Sequence, residues 1–219
     1  MHKYLIILLT LFSFTSDATD LSALSRSERQ DFYGNKLVLK SFEIENEAWP
    51  KLEIYGLIDG QALEFAAFFC DFESQKKYTP DLLSAVILPH DNPLLIPVKY
   101  EMNLPFPLSN AQYTHAHQLA KNSDGSYSVS WSVITSTVAE KVIGKSTFIP
   151  SGDKTLWFYE SLVTPKSSLA GLFSSSMKSD TLKSLQSTKA AFLRLKKDNP
   201  EQLKTLVSEF SKKFLDSTK

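Results

Sequence analysis

The sequence predicts an α+β domain in which one curved antiparallel sheet wraps a long helix near the end of the chain, with two short helices after the first strand. Three observations predict this. From Ala85 onward the hydrophobicity keeps a period of two for about eighty residues, which is the pattern of strands. Short turn signals, Asn122-Ser123-Asp124-Gly125 and Ser151-Gly152-Asp153, separate successive runs, so neighbouring strands pair antiparallel. Apolar stripes at spacings of three and four lie on both sides of the strand region and supply the cover that a sheet with one apolar face needs.

The first eighteen residues stand outside that fold. Met1-His2-Lys3 precedes an apolar run over residues 4–14, and Ser16 and Ala18 place small residues where a signal peptidase reads. An apolar run of about ten residues is half of what a bilayer span needs. The expectation is a signal peptide over residues 1–18, cleaved after Ala18, and a mature chain that is periplasmic or secreted. No cysteine follows the run, so a lipid anchor on the mature end is not expected. The mature chain then reads as a domain over residues 19–198 and a C-terminal amphipathic helix over residues 199–219.

Composition narrows the function. The chain carries 24 Lys and Arg against 24 Asp and Glu, and without Lys3 and Asp17 the balance is 23 to 23. A neutral chain has no net field with which to capture a polyanion, so no nucleic-acid partner is expected. Cys70 is the single cysteine, which excludes an intrachain disulfide, and its neighbours Phe68, Phe69 and Phe72 make it a core residue rather than a nucleophile.

The elements follow in order. Residues 49–57 alternate, with Leu52 and Ile54 opposite Lys51, Glu53 and Tyr55, and read as the first strand. Asp59 offers an N-cap to a helix whose buried face carries Ala62, Phe65, Ala66, Phe69 and Phe72. Residues 78–81 stop it, and Pro80 starts a short second helix or loop ending near Ser84. Residues 96–102 form a half-buried strand with Ile96, Val98, Tyr100 and Met102 on one face, where Pro97 suggests an edge or a bulge. Residues 112–119 and 126–134 form a hairpin whose second strand sets Tyr127, Val129, Trp131 and Val133 against a face of serines. Strands near residues 142–149 and 155–163 complete the meander. Ser179 offers a cap to a helix reaching about Lys197, with Leu182, Leu185, Phe192 and Leu193 on its stripe. Asn199-Pro200 starts the last helix, with Leu203, Leu206, Val207, Phe210 and Phe214. A lone helix of that length is marginal in water, so it needs a partner: its own domain, a membrane surface or another protein. Docking on its own domain is the expectation.

With the elements in this order, residues 100–113, YEMNLPFPLSNAQY, resemble the strand, Pro-aromatic-Pro turn and Ser-Asn-Arg-Asp-Tyr start carried by many START (lipid-transfer) domains of the helix-grip, or SRPBCC (polyketide cyclase-like), superfamily. Phe68, Asp71, Tyr78 and Pro80 resemble that family's first helix and its loop. The resemblance covers roughly residues 49–197. Ala111 and Gln112 stand where Arg and Asp are usual, so no headgroup preference carries over. What the resemblance implies is a helix-grip fold and a hydrophobic tunnel between sheet and long helix that holds one lipid or other apolar molecule. The residues themselves leave two outcomes open, because an aromatic inner face fills a core as readily as it lines a cavity.

The candidate ligand-binding residues are Tyr100, Met102, Tyr113, His115, His117, Trp131, Phe158, Lys189 and Phe192. His115 and His117 share a strand face, and a His-x-His pair presents two imidazoles to a metal. A third ligand would have to come from His90, Glu101 or Glu160, none at diagnostic spacing, so pocket lining and a structural role stay open beside it. No metal or redox cofactor is expected. Gly-x-Ser-x-Gly is absent, and the run Ser174-Ser175-Ser176 has no partnered base. His115, His117, Tyr113 and Glu160 are the one plausible acid–base set, and no catalytic residue is assigned. Lys189 shares its helical stripe with Leu182, Leu185 and Phe192. It reads either as a lysine snorkelling at the sheet's edge or as an ammonium in the tunnel, facing a ligand anion or Glu160.

The functional expectation is binding, and carriage, of a lipid or similar apolar molecule, a role that fits transient contact with a membrane. The alternatives are a cyclase- or dehydratase-like enzyme using the same cavity and an interaction module with a filled core. A protein partner is not identifiable from the sequence.

Overall fold

The computed structural model describes residues 21–104, 109–166 and 176–216. The expected signal peptide, Pro105 to Leu108 of the Pro-Phe-Pro-Leu stretch, and Ser174-Ser175 lie outside the described residues. An α+β architecture with a curved eight-stranded antiparallel sheet follows, in the order β1-β2-β8-β7-β6-β5-β4-β3.

Three elements precede the first expected strand among the described residues, the first a 3-10 turn over Leu21–Ala23. Helix α1, Arg26–Tyr33, starts from a reciprocal cap in which Ser25 Oγ accepts from Glu28 N–H and Glu28 accepts from Ser25 N–H at 2.7 Å. Strand β1, Val38–Phe42, then adds an edge to β2, Lys51–Ile58. Leu24, Phe32, Val38 and Tyr55 form a small core on the face of the sheet that α1 covers.

Helix α2, Ala62–Phe69, is capped by Gln61 rather than Asp59, with Glu64 accepting from Gln61 N–H at 3.0 Å. Asp59 is drawn instead into an ion pair with Lys154 at 2.8 Å. The second short helix is a 3-10 turn over Phe72–Lys77, earlier than Pro80 suggested, because Leu82 already belongs to β3, Leu82–Ile87. This crossing over α2 carries the chain from β2 to the opposite edge of the sheet. The meander then returns strand by strand: β4, Leu95–Met102; β5, Ala111–Lys121; β6, Tyr127–Ser136; β7, Ala139–Ser151; β8, Lys154–Pro165. Gly125 and Gly152, at φ of +80° and +66°, take the left-handed turn positions of two of its hairpins.

Pro97 sits in a strand paired on both sides, not at an edge. Its carbonyl accepts from Leu88 N–H at 2.9 Å, so its donorless nitrogen faces the point where the β3 ladder ends. The carbonyl of Leu88 that loses this donor is met by His90 Nδ1 at 2.9 Å.

Helices α3, Met177–Asp198, and α4, Pro200–Asp216, close the inner face together with α2. Helix α3 starts at Met177, two residues before Ser179, which turns its hydroxyl back to Ser176 O. The main core centres on Phe65, whose ring meets Trp157 and Phe192 at 4.9 Å and Phe148 at 5.4 Å. Trp157 is also the polar anchor of this region, donating from Nε1 to the buried Ser146 Oγ at 2.6 Å. Helix α4 packs on α2 and joins that core through Leu203 and Phe210. No helix among the described residues is long and apolar enough to cross a membrane.

Candidate ligand-binding cavity

The packing that fills the core at Phe65 does not extend along the whole of α3. Toward its N-terminus the inward stripe reads Met177, Thr181, Ser184, Leu185 and Thr188 before Phe192, so small and hydroxylated side chains stand where large ones would close the gap. Thr188 spends its hydroxyl on Ser184 O at 2.9 Å. Between this half of α3 and strands β4 to β8 lies a cavity of about 600 Å³, lined among others by Trp49, Met102, Leu104, Tyr113, Val138, Tyr159, Val163 and Leu185. It adjoins an inner chamber of about 180 Å³ that shares Thr79, Met102, Tyr113, Tyr159, Ser184 and Leu185 with it. The outer cavity by itself falls in the roughly 300–1,000 Å³ range of small-molecule sites, and the inner chamber extends it.

The inner wall is built by strand register. Tyr100 of β4 lies opposite Tyr113 of β5, and His117 of β5 opposite Trp131 of β6, so period two brings these side chains with His115 to one surface. Tyr100 and Tyr113 stack at 5.1 Å, Tyr113 meets His115 at 4.7 Å, and His117 lies on Phe72 at 4.3 Å. Tyr100 Oη and His117 Nε2 share one hydrogen bond of 2.9 Å. Burial drives His115 down to a pKa of about 4; burial, and then the neighbouring His115, drive His117 down to about 3. Burial also raises Tyr159 to about 12 and pushes Tyr100 and Tyr113 upward. At neutral pH these five residues form a polar but uncharged wall.

Tyr100, Met102, Tyr113, His115, His117 and Trp131 therefore line the two chambers. The other three sequence candidates do not. Phe158 points to the opposite face, against Tyr55 at 5.1 Å, because it is out of phase with Trp157 and Tyr159 on β8. Phe192 is fully buried in the filled part of the core, so close to Gly60 that a Cβ there would come within 2.8 Å of its ring. Lys189 neither snorkels at an edge nor enters the cavity: its ammonium donates to Asn35 O and Oδ1 at 2.7 Å and Leu57 O at 2.9 Å. It holds the turn between α1 and β1 against β2. Lys189→Met should cost about 1.5–3 kcal/mol, the scale of a charged hydrogen-bonded group, in a urea melt, and leave the relative affinity for acidic and neutral lipids unchanged.

Of the acid–base set, Tyr113, His115 and His117 meet on the chamber wall and Glu160 does not join them. Glu160 pairs with Lys51 at 2.7 Å on the sheet face away from the histidines. Glu101 accepts from Asn110 at 2.9 Å, and among the described residues no group of three His, Cys, Asp or Glu is placed to hold a metal. Trp49, Tyr159 and the Thr181, Ser184, Thr188 face of α3 are lining residues that sequence reasoning missed. For the α3 residues the signal was the lapse of the apolar stripe, and for Tyr159 its place two residues from Trp157 on β8.

Gly144 sets the seat of Trp131. The two are paired across β6 and β7, and a Cβ on Gly144 would lie 2.3 Å from the indole and 2.8 Å from the Glu160 carbonyl oxygen. Turning the indole relieves the first contact and not the second, so a Cβ there displaces both the Trp131 ring on the cavity wall and the β7–β8 backbone. Gly144→Ala should cost about 1–3 kcal/mol and weaken uptake of bulky apolar probes, read by thermal melt and titration.

A scan against protein-family models and a search of curated proteins returned no match. Solved structures did. The fold is similar to a STAR-related lipid transfer protein from Xanthomonas axonopodis, with a TM-score of 0.65 and 14% identity over 71% of this chain and 93% of that one. Human STARD10 gives 0.61 at 15% identity over 82% and 81%, and the Zhui aromatase/cyclase from Streptomyces sp. R1128 gives 0.58 at 8% over 68% and 96%. The architecture is that of the helix-grip class. More narrowly, the chain has the START/SRPBCC fold.

Proposed function

We propose that this chain binds one lipid or similar apolar molecule in the cavity under α3 and carries it outside the cytoplasm, to which residues 1–18 direct it. The observation that carries the reading is the cavity itself, about 600 Å³ under a helix whose inward stripe lapses into small residues. A filled core, which the interaction-module alternative requires, is at odds with that void. Lipid transfer proteins among the structural neighbours support carriage. The aromatase/cyclase neighbour favours a second reading, catalysis in the same cavity, but its candidate acid Glu160 lies across the sheet with Lys51. Native mass spectrometry of protein purified from its own source tests both parts of the proposal. The expected species begins at Thr19 and carries one adduct that organic solvent extracts as a lipid. A chain retaining Met1 overturns export, and a ligand-free chain that takes up no lipid from mixed liposomes overturns binding.

A further inference from the structure

The inner chamber differs from the rest of the cavity in its polar atoms. Among the described residues three buried side-chain atoms have no hydrogen-bond partner: Tyr78 Oη, His115 Nε2 and His117 Nδ1. Both histidines belong to the chamber wall. An unmet buried polar atom costs about 1–3 kcal/mol, and in a native protein it marks the place of a partner that completes it. His117 is 5% exposed and held on two sides, by the Phe72 ring at 4.3 Å and by Tyr100 Oη at 2.9 Å on Nε2, which leaves Nδ1 as its free valence.

Charge is absent from this chamber. None of its described lining residues is Asp, Glu, Lys or Arg, whereas Asp81, Asp180 and Lys183 line the outer one. Lys189, the one buried cation of α3, is committed to Asn35 and Leu57. An ionised headgroup pushed to the inner end would be desolvated without a counter-charge, and a bare hydrocarbon end would leave the histidine nitrogens unmet. A neutral imidazole offers a donor or an acceptor according to its tautomer, which suits a group that can do both.

Resting on the reading of the cavity as a ligand site, we infer that the inner chamber takes the uncharged polar end of the ligand, a hydroxyl or carbonyl group, against His115, His117 and Tyr100. The apolar body then fills the outer chamber under α3. The ligand class is a single-chain or ring-system alcohol or ketone that enters polar end first, not a lipid with an ionised head buried at the inner end.

The test uses delipidated mature protein at pH 7.5 and three probes of one chain length, 1-dodecanol, dodecanoate and dodecane, below their aggregation concentrations. Dodecanol should bind roughly tenfold or more tightly than either of the others, the scale of one or two satisfied hydrogen bonds. His117→Phe keeps a ring against Phe72 and should bring dodecanol close to dodecane while dodecane itself is held as before. If that variant does not fold, His115→Phe, which removes the other unmet nitrogen, should likewise narrow the gap between dodecanol and dodecane. Dodecanoate binding as tightly as dodecanol, or variants that weaken all three probes alike, overturns the inference while leaving the cavity a ligand site. Binding of none of the three overturns both.

Discussion

Deleting α4 after Asp198 should lower the melting temperature by about 10–20 °C. Leu203 and Phe210 are each 3% exposed and belong to the main core, and burial of such side chains contributes about 1.5–3 kcal/mol apiece. Phe210 and Phe214 also lie against Tyr127 at 5.9 and 6.0 Å, so their loss uncovers the β6 end of the hairpin as well as α2. A deficit of about 3–6 kcal/mol in a domain of this size corresponds to that shift. The charges on α4 offer little to a bilayer, since Glu201, Glu209 and Asp216 offset Lys204, Lys212 and Lys213, with Lys204 paired to Glu201 at 2.7 Å. Liposome association should therefore be unaffected. A truncated chain that melts where the full one does, yet no longer associates with liposomes or a protein partner, would make α4 a docking device instead of part of the core.

Acid should destabilise the fold well above the range where carboxylates titrate. His115 and His117 are held neutral, at about 4 and about 3, against about 6.5 in an unfolded chain. Both shifts are downward, so the unfolded state binds more protons, and stability that is fully present above pH 6.5 is lost as the pH falls toward 4 and then 3. At pH 5 the deficit is of the order of 2 kcal/mol for each histidine. The lowered carboxyls of Glu28, Glu47, Asp59 and Asp124 add to the loss only further down, which leaves pH 6.5 to 5 as the histidine window. Urea midpoints measured from pH 7.5 to 5 should fall through that window in the wild type and stay nearly level in a His115→Gln, His117→Gln double variant. A wild-type midpoint that does not move between pH 7.5 and 5 would show that the pair is not kept neutral by burial.

What was legible in the sequence is what a local period determines. Alternation through β4, β5 and β6 put Tyr100, Met102, Tyr113, His115, His117 and Trp131 on one surface, because side chains two apart on a strand share a face whatever surrounds them. Asn199-Pro200 and the stripe after it marked α4 for the same reason, through the period of 3.6. Helix α1 was equally local, with its Ser25 to Glu28 capping box, and was overlooked because its short run carries one buried residue, Phe32.

Which of two apolar layers a face belongs to was settled only by the tertiary structure. Phe158 and Trp157 are both aromatic and neighbours on β8, yet one packs under α1 and the other in the main core, since the sheet has cover on both faces. Lys189 follows the stripe of α3, but its ammonium finds Asn35, which lies 154 residues away in the chain and is brought there by the fold. The void has the same origin. The sequence set which side chains face inward, while the gap between them depends on how far α3 stands off the sheet, and that distance is fixed by Phe65, Phe68, Phe192 and the other large rings at the filled end.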